Sequence, residues 1–196
     1  TGSDLNDPNS TPLQHGLLAW YPFDGNASDM SGNGNDATPS SVYSYIDGIA
    51  KKGIRIVGTN STYIQSNSGH VMLPFLSELE SSDFTFSFWV KEEATYTEWG
   101  EVILVYGNLL NINREFYLNV RTPLYPFLAD TSHMSNLDLS NWSFLSVTRS
   151  HDQQTGYING VSVGSNTINL NATNSSTQAA LGRHWWTGAS AARYVG

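Results

Sequence analysis

The chain contains no cysteine. A disulfide framework, a thiolate metal site and a cysteine nucleophile are therefore excluded. The compartment stays open, because a β-domain of this size needs no staple outside the cell either. Cationic residues are scarce: 9 Lys and Arg face 17 Asp and Glu, a formal charge of −8. Nucleic-acid binding rests on neutralising phosphates, and anionic membranes attract polybasic segments, so the charge argues against both and favours cations. No apolar run approaches the roughly 20 residues of a membrane span, so membrane insertion is not expected. No basic-then-apolar leader opens the chain. Helical periodicity beyond two turns is also missing. The nearest approach is Leu73–Ser82, LPFLSELESS, where one short helix is expected.

What remains is a succession of short apolar runs separated by Gly, Asn, Asp, Ser and Pro, which predicts an all-β sandwich or barrel. A chain of 196 residues can bury about 70% of its extended surface, enough for one core. Strands are expected at Leu17–Phe23, Gly53–Gly58, Phe84–Lys91, Glu101–Tyr106, Glu115–Arg121 and Trp142–Arg149. Along Phe84–Lys91, Phe84, Phe86, Phe88 and Val90 share one face, while Thr85, Ser87, Trp89 and Lys91 share the other. Asn159-Gly160, between Tyr157-Ile158 and Val161-Ser162-Val163, predicts a two-residue hairpin turn in which both central residues have positive φ. Trp20 and Trp89 are expected to be structural, because each sits in a strong strand, and Trp142, which opens a strand after a turn, is expected to be structural too. Residues 1–14 read as a polar tail and 15–196 as one domain.

The stretch FDGNASDMSGNGNDA, from Phe23 to Ala37, is dense in Asp, Asn and Gly. From Asp29, the residues Ser31, Asn33 and Asn35 follow at alternate positions, with Gly34 before the last. This spacing follows the local logic of a calcium loop, although Ser40 stands where a bidentate Glu would be needed and no helices flank it. Two readings stay open. Asp24, Asn26, Asp29, Asn35 and Asp36 with backbone carbonyls wrap a hard cation, or the stretch is an Asx-rich turn with no ion.

The pieces GLLAWYPFDGNASDMSGNGNDA, GIRIVGTNSTYIQ, SSDFTFSFWVK, NWSFLSVTRS, GYINGVSVGS and ALGRH follow one another from about Gly16 to the end. In that order they resemble the laminin-G-like, concanavalin-A-like jelly-roll modules of extracellular bacterial proteins. The resemblance implies a two-sheet antiparallel β-sandwich, often with a structural calcium ion, and frequently a glycan-binding or adhesive role. It also implies a closing strand bearing an Asp pair. Ala192–Gly196 falls about where that strand would begin, so the expectation is a sandwich cut before its closing strand, or closed by other means.

Carbohydrate sites pair a flat aromatic with polar neighbours. Trp185 and Trp186, beside Arg183 and His184 in a loop between Gly182 and Gly188, are the expected stacking platform. The competing reading is that they cover an open end of the core. Tyr125, in a Pro-bounded loop near Asp130 and His133, and Trp99, between Glu98 and Glu101, are further candidates. No enzyme is expected. Glu78, Glu80 and Asp83 lie in a polar turn rather than along a cleft strand, no GxSxG elbow is present, and no paired-His zinc spacing occurs. The expected function is a secreted or cell-surface carbohydrate-binding module attached to a larger protein. A protein-binding adhesion module on the same scaffold is the alternative.

Overall fold

The apolar runs pair as antiparallel strands in the computed structural model of the chain, which describes residues 16–40, 42–56, 69–76, 78–81, 83–91, 101–106, 116–120, 127–128, 132–133, 140–167 and 179–181. The order begins with β1 (Thr38–Pro39), β2 (Tyr43–Asp47), β3 (Lys52–Ile56) and β4 (Val71–Leu73). One helical turn, α1 (Glu78–Ser81), lies inside the stretch expected to hold it and leads into β5 (Phe84–Val90). Then come β6 (Glu101–Tyr106), β7 (Phe116–Val120), β8 (Phe127–Leu128) and β9 (Ser132–His133). The remaining strands are β10 (Ser143–Ser150), β11 (Gln153–Ile158), β12 (Val161–Thr167) and β13 (Ala179–Leu181).

One sheet runs β1-β4-β13-β6-β7-β8-β9, a second runs β12-β11-β10-β5, and β2-β3 form a separate hairpin. β11 and β12 approach β8 and β9 across the interior, so the two larger sheets stack as a sandwich. The expected fold class is thus the observed one.

Alternation decides which side of the second sheet is buried. In β5 the expected inward set Phe84, Phe86, Phe88 and Val90 is buried or half-buried, while Thr85, Ser87 and Trp89 are exposed. In β10, Ser143, Leu145, Val147 and Arg149 point inward. Leu145 lies opposite Phe88 and Val147 opposite Phe86, so both strands present one apolar row to the interior. A second cluster joins Ala27, Ala37, Ile54, Ile56 and Val71, with Tyr21, Phe23, Tyr45, Leu73 and Leu181 against it.

The Asn159-Gly160 turn forms as expected. Both residues have positive φ, 49° and 81°, and Ile158 pairs with Val161. Asn159 also extends the sheet sideways. Its amide N–H donates to the Phe144 carbonyl at 2.8 Å, and its Oδ1 accepts from the Phe144 N–H at 2.9 Å.

Two buried polar side chains lie in the interior. Arg149, 4% exposed, donates from Nη2 to the Leu79 carbonyl at 2.5 Å and lies over the Phe84 ring at 4.7 Å. Gln154, opposite Arg149, is 0% exposed, and neither its Nε2 nor its Oε1 has a hydrogen-bond partner among the described residues.

Two expectations are corrected. Leu17–Phe23 is not a strand, because side chains of the following turn take up its backbone groups and leave no ladder there. Trp20 and Trp89 are not core residues: they are 54% and 46% exposed, Trp20 outside any sheet and Trp89 on the outward side of β5. Trp142 is half-buried at the entry to β10.

Candidate functional site

The oxygen-dense stretch folds back on the apolar run before it. Asn33 Nδ2 donates to the Leu17 and Leu18 carbonyls at 2.7 and 3.1 Å. Asn35 Nδ2 donates to the Leu18 carbonyl at 2.8 Å. The Trp20 N–H donates to Asp29 Oδ1 at 2.9 Å, and the Met30 N–H returns a bond to the Trp20 carbonyl at 2.8 Å. The choice of residue at each position follows its partner. Asn, with two N–H donors, faces carbonyls, whereas Asp, which only accepts when ionised, faces N–H groups.

Asp29 is the hub. Oδ1 accepts from the N–H of Trp20 and of Ser31 (2.8 Å), and Oδ2 accepts from the Ser31 hydroxyl at 2.7 Å and the Asn35 N–H at 3.0 Å. Its own N–H donates to Asp36 Oδ1 at 2.7 Å. Burial raises its pKa, but the bonds from Trp20, Ser31 and Asn35 outweigh it and hold the carboxyl at about 2. The Tyr21 hydroxyl, donating to the Asn35 carbonyl at 2.5 Å, is pushed up to about 12 by burial and by the charges of Asp29 and Asp36.

The structure brings Asp29, Asn35 and Asp36 together. Asp24 instead pairs with Lys51 at 3.0 Å, and Asn26 closes its own turn by accepting from the Ser28 N–H at 3.0 Å. A carboxylate offers about four lone-pair sites, and Asp29 has four donors on it. Among the described residues, no three His, Cys, Asp or Glu side chains are placed to share a metal ion. As placed, Asp29 spends its lone pairs on N–H and O–H groups of the turn and the run before it rather than on an ion.

Trp185, Trp186, His184, Arg183, Tyr125 and Trp99 lie outside the described residues, as does Asp130. Glu78 is exposed on α1. Asp83 accepts the His151 N–H at 2.7 Å and the Ser150 hydroxyl at 3.4 Å, and Ser150 Oγ lies 3.4 Å from His151 Nδ1. This exposed trio is a clamp on the β10–β11 turn. In a catalytic triad the carboxylate would orient the imidazole, not the serine and a main-chain amide.

Sequence reasoning missed the outer face of the four-stranded sheet. Directly opposed residues share a face, so the register builds three rows across the strands. At one end Trp89 lies beside Phe144, with ring centroids 5.3 Å apart and tilted by 52°. The next row is Ser87, Ser146, Tyr157 and Ser162, and the one after is Thr85, Thr148, Thr155 and Ser165. Each of these residues is exposed or half-buried. The signal was present in the alternation of β5, which put Trp89 with Thr85 and Ser87. The cross-strand neighbours depend on register and could not be read.

The fold defines a class of protein, the jelly-roll β-sandwich. Residues 58–195, well over half of the chain, match the Concanavalin A-like lectin/glucanases superfamily, and the chain belongs to that family. Domain 4 of AbnA, a GH43 extracellular arabinanase from Geobacillus stearothermophilus, solved in complex with arabinotriose, is similar with a TM-score of 0.60 at 20% identity, over 91% of this chain and 88% of that one. The binding domain of Paraclostridial Mosquitocidal Protein 1 is similar with a TM-score of 0.58 at 19% identity, over 79% of this chain and 41% of that one. A botulinum neurotoxin type C structure, described as showing cell entry dependent upon interaction with two ganglioside molecules, gives 0.63 at 15% identity, over 84% and 42%. The chain thus spans most of the arabinanase domain and less than half of either toxin chain. No curated protein sequence matches it. At these identities the likeness shows the fold.

Proposed function

We propose that the domain is a non-catalytic carbohydrate-binding module of a secreted or surface-attached protein, and that it holds its parent protein near a glycan by raising effective concentration. The observation that carries this reading is Trp89, 46% exposed on a regular strand and followed across the sheet by rows of hydroxyl side chains. A sugar offers C–H faces to an indole and hydroxyl groups to Ser and Thr, so this surface matches both halves of its chemistry. The arabinotriose complex of the similar arabinanase domain supports the same class of ligand.

Asp29 plays no calcium-binding part in the proposed function, because an ion on it would have to displace its N–H donors. Affinity electrophoresis in gels cast with plant, bacterial and animal polysaccharides tests the proposal. Retardation by at least one of them is expected. Free migration in every gel, with capture of a protein receptor instead, would replace the glycan by a protein partner.

A further inference from the structure

One further side chain on this face bears on the class of glycan, an inference that rests on the carbohydrate-binding reading. Lys91 stands two residues beyond Trp89, so the two share the outward side, about 6.7 Å apart along the strand. On the neighbouring strand, Trp142 directly precedes Ser143, which opposes Val90, and alternation places it on the Phe144 side, beside Lys91. Trp89, Phe144, Trp142 and Lys91 thus form a block of three aromatic side chains and one cation. Lys91 is half-buried, and its ammonium makes neither an ion pair nor a hydrogen bond with any described residue. Among the described residues, the carboxylates that border this sheet are Asp83 and Asp152, at its other end, beyond Phe84 and Ser150. Asp83 is eight residues from Lys91, about 26 Å of extended strand and well beyond a Debye length of about 8 Å, so it does not offset the Lys91 charge.

We propose that this block binds an acidic sugar, one carrying a carboxylate or a sulfate, with the ring stacked on Trp89 and the anionic group on Lys91. A half-buried ammonium without a partner has given up part of its hydration, and an anion restores the loss. A uronic or sialic acid has an apolar C–H face for the indole and a carboxylate at the rim of the ring, and the flexible four-carbon stem of Lys91 adjusts to meet it. Lysine acts as a point charge rather than a planar fork, so carboxylate and sulfate suit it alike. Phe144, 5.3 Å from Trp89 and tilted by 52°, holds the indole in place. From Trp89 the strands lead over Ser87 and Ser146 to Thr85 and Thr148, whose hydroxyls both donate and accept and so suit the remaining sugars of the glycan. The glycan therefore runs along β5 and β10 rather than across the sheet.

The test is calorimetric titration of the whole chain with matched acidic and neutral oligosaccharides: oligogalacturonate against its methyl ester, sialyllactose against lactose, and a sulfated galactan fragment against its desulfated form. At least one acidic member is expected to bind about tenfold more tightly than its neutral counterpart, the low end of what a hydrogen bond to a charged group contributes. That advantage is expected to shrink as salt is raised. The pair that responds tells carboxylate from sulfate. Lys91→Gln, checked for an unchanged melting temperature, is expected to abolish the advantage and leave the affinity for the neutral member as it was, whereas Lys91→Arg keeps the advantage. Trp89→Ala is expected to weaken both members of the pair roughly tenfold or more, by analogy with bases stacked on aromatics. Equal affinities within every pair, or an acidic preference that survives in Lys91→Gln, would overturn the inference and leave the carbohydrate-binding reading standing. Failure to bind any glycan would remove both.

Discussion

Replacing Asp29 tests whether the oxygen-dense turn is a device for satisfying backbone. Asp29→Ala removes the acceptor of four hydrogen bonds, three of them from main-chain N–H groups. A hydrogen bond to a charged group contributes about 1.5–3 kcal/mol when buried, but Asp29 is part-exposed and water can replace some of it. At about 0.5–1 kcal/mol per bond the loss is roughly 2–4 kcal/mol. The depressed pKa gives an independent check on the charge-specific part. A fall from 3.8 to about 2 is worth about 2.5 kcal/mol before solvent screening, and about 1 kcal/mol after a generous discount for exposure. The sign follows directly: the folded state favours the carboxylate, so the contribution is full above about pH 4 and is lost as the pH falls towards 2. Urea unfolding at neutral pH should show a lower midpoint with an unchanged m-value. Thermal unfolding should fall by roughly 5–10 °C, from the usual scaling for a chain of this size. Asp29→Asn should show a smaller acid limb of stability than the wild type. A loss below about 0.5 kcal/mol, or an identical acid limb in both proteins, would refute the hub.

Gln154→Met should stabilise the domain by about 1–2 kcal/mol, since it removes two polar groups that have no partner among the described residues from a site with 0% exposure while keeping its volume; a lower urea midpoint would show that the amide is satisfied in solution. Gly48→Ala should destabilise by about 1–3 kcal/mol, because a Cβ there would sit 2.8 Å from the Lys52 carbonyl oxygen at the β2–β3 turn; an unchanged melting temperature would mean that the hairpin relaxes at no cost. Adding calcium or EDTA should leave the melting temperature unchanged, since the donors on Asp29 leave it no acceptor for a cation; a calcium-dependent rise would restore the ion site.

Local rules were legible wherever local chemistry decides the outcome. Asn159-Gly160 announced its turn because only residues tolerant of positive φ make it cheaply. Phe84–Val90 announced its buried face by strict alternation. Residues 101–106 formed the expected strand, β6, because an apolar hexapeptide between turns has few other uses. Leu17–Phe23 failed for a non-local reason. Its composition is that of a strand, yet its hydrogen bonds go to side chains up to 17 positions away. The density of Asp, Asn and Gly between Asp24 and Asp36 was visible, but not its use. That use turns on which atoms are donors, and only the fold shows that Asn33 and Asn35 face carbonyls while Asp29 faces N–H groups. Trp89 was assigned to the core by residue type, although its parity placed it with Thr85 and Ser87. The pairing that sets Phe144 beside it spans 55 positions of sequence, from residue 89 to 144, beyond any pattern read along one strand.

The most direct measurement is an NMR titration of the labelled domain with an oligosaccharide drawn from whichever polysaccharide retards it. The account predicts that the Trp89 indole N–H and the backbone amides of Thr85, Ser146 and Thr148 shift together along one binding curve, while Trp20 and Asp29 stay still. Shifts confined to residues 183–186, with Trp89 unmoved, would contradict it and return recognition to the rim.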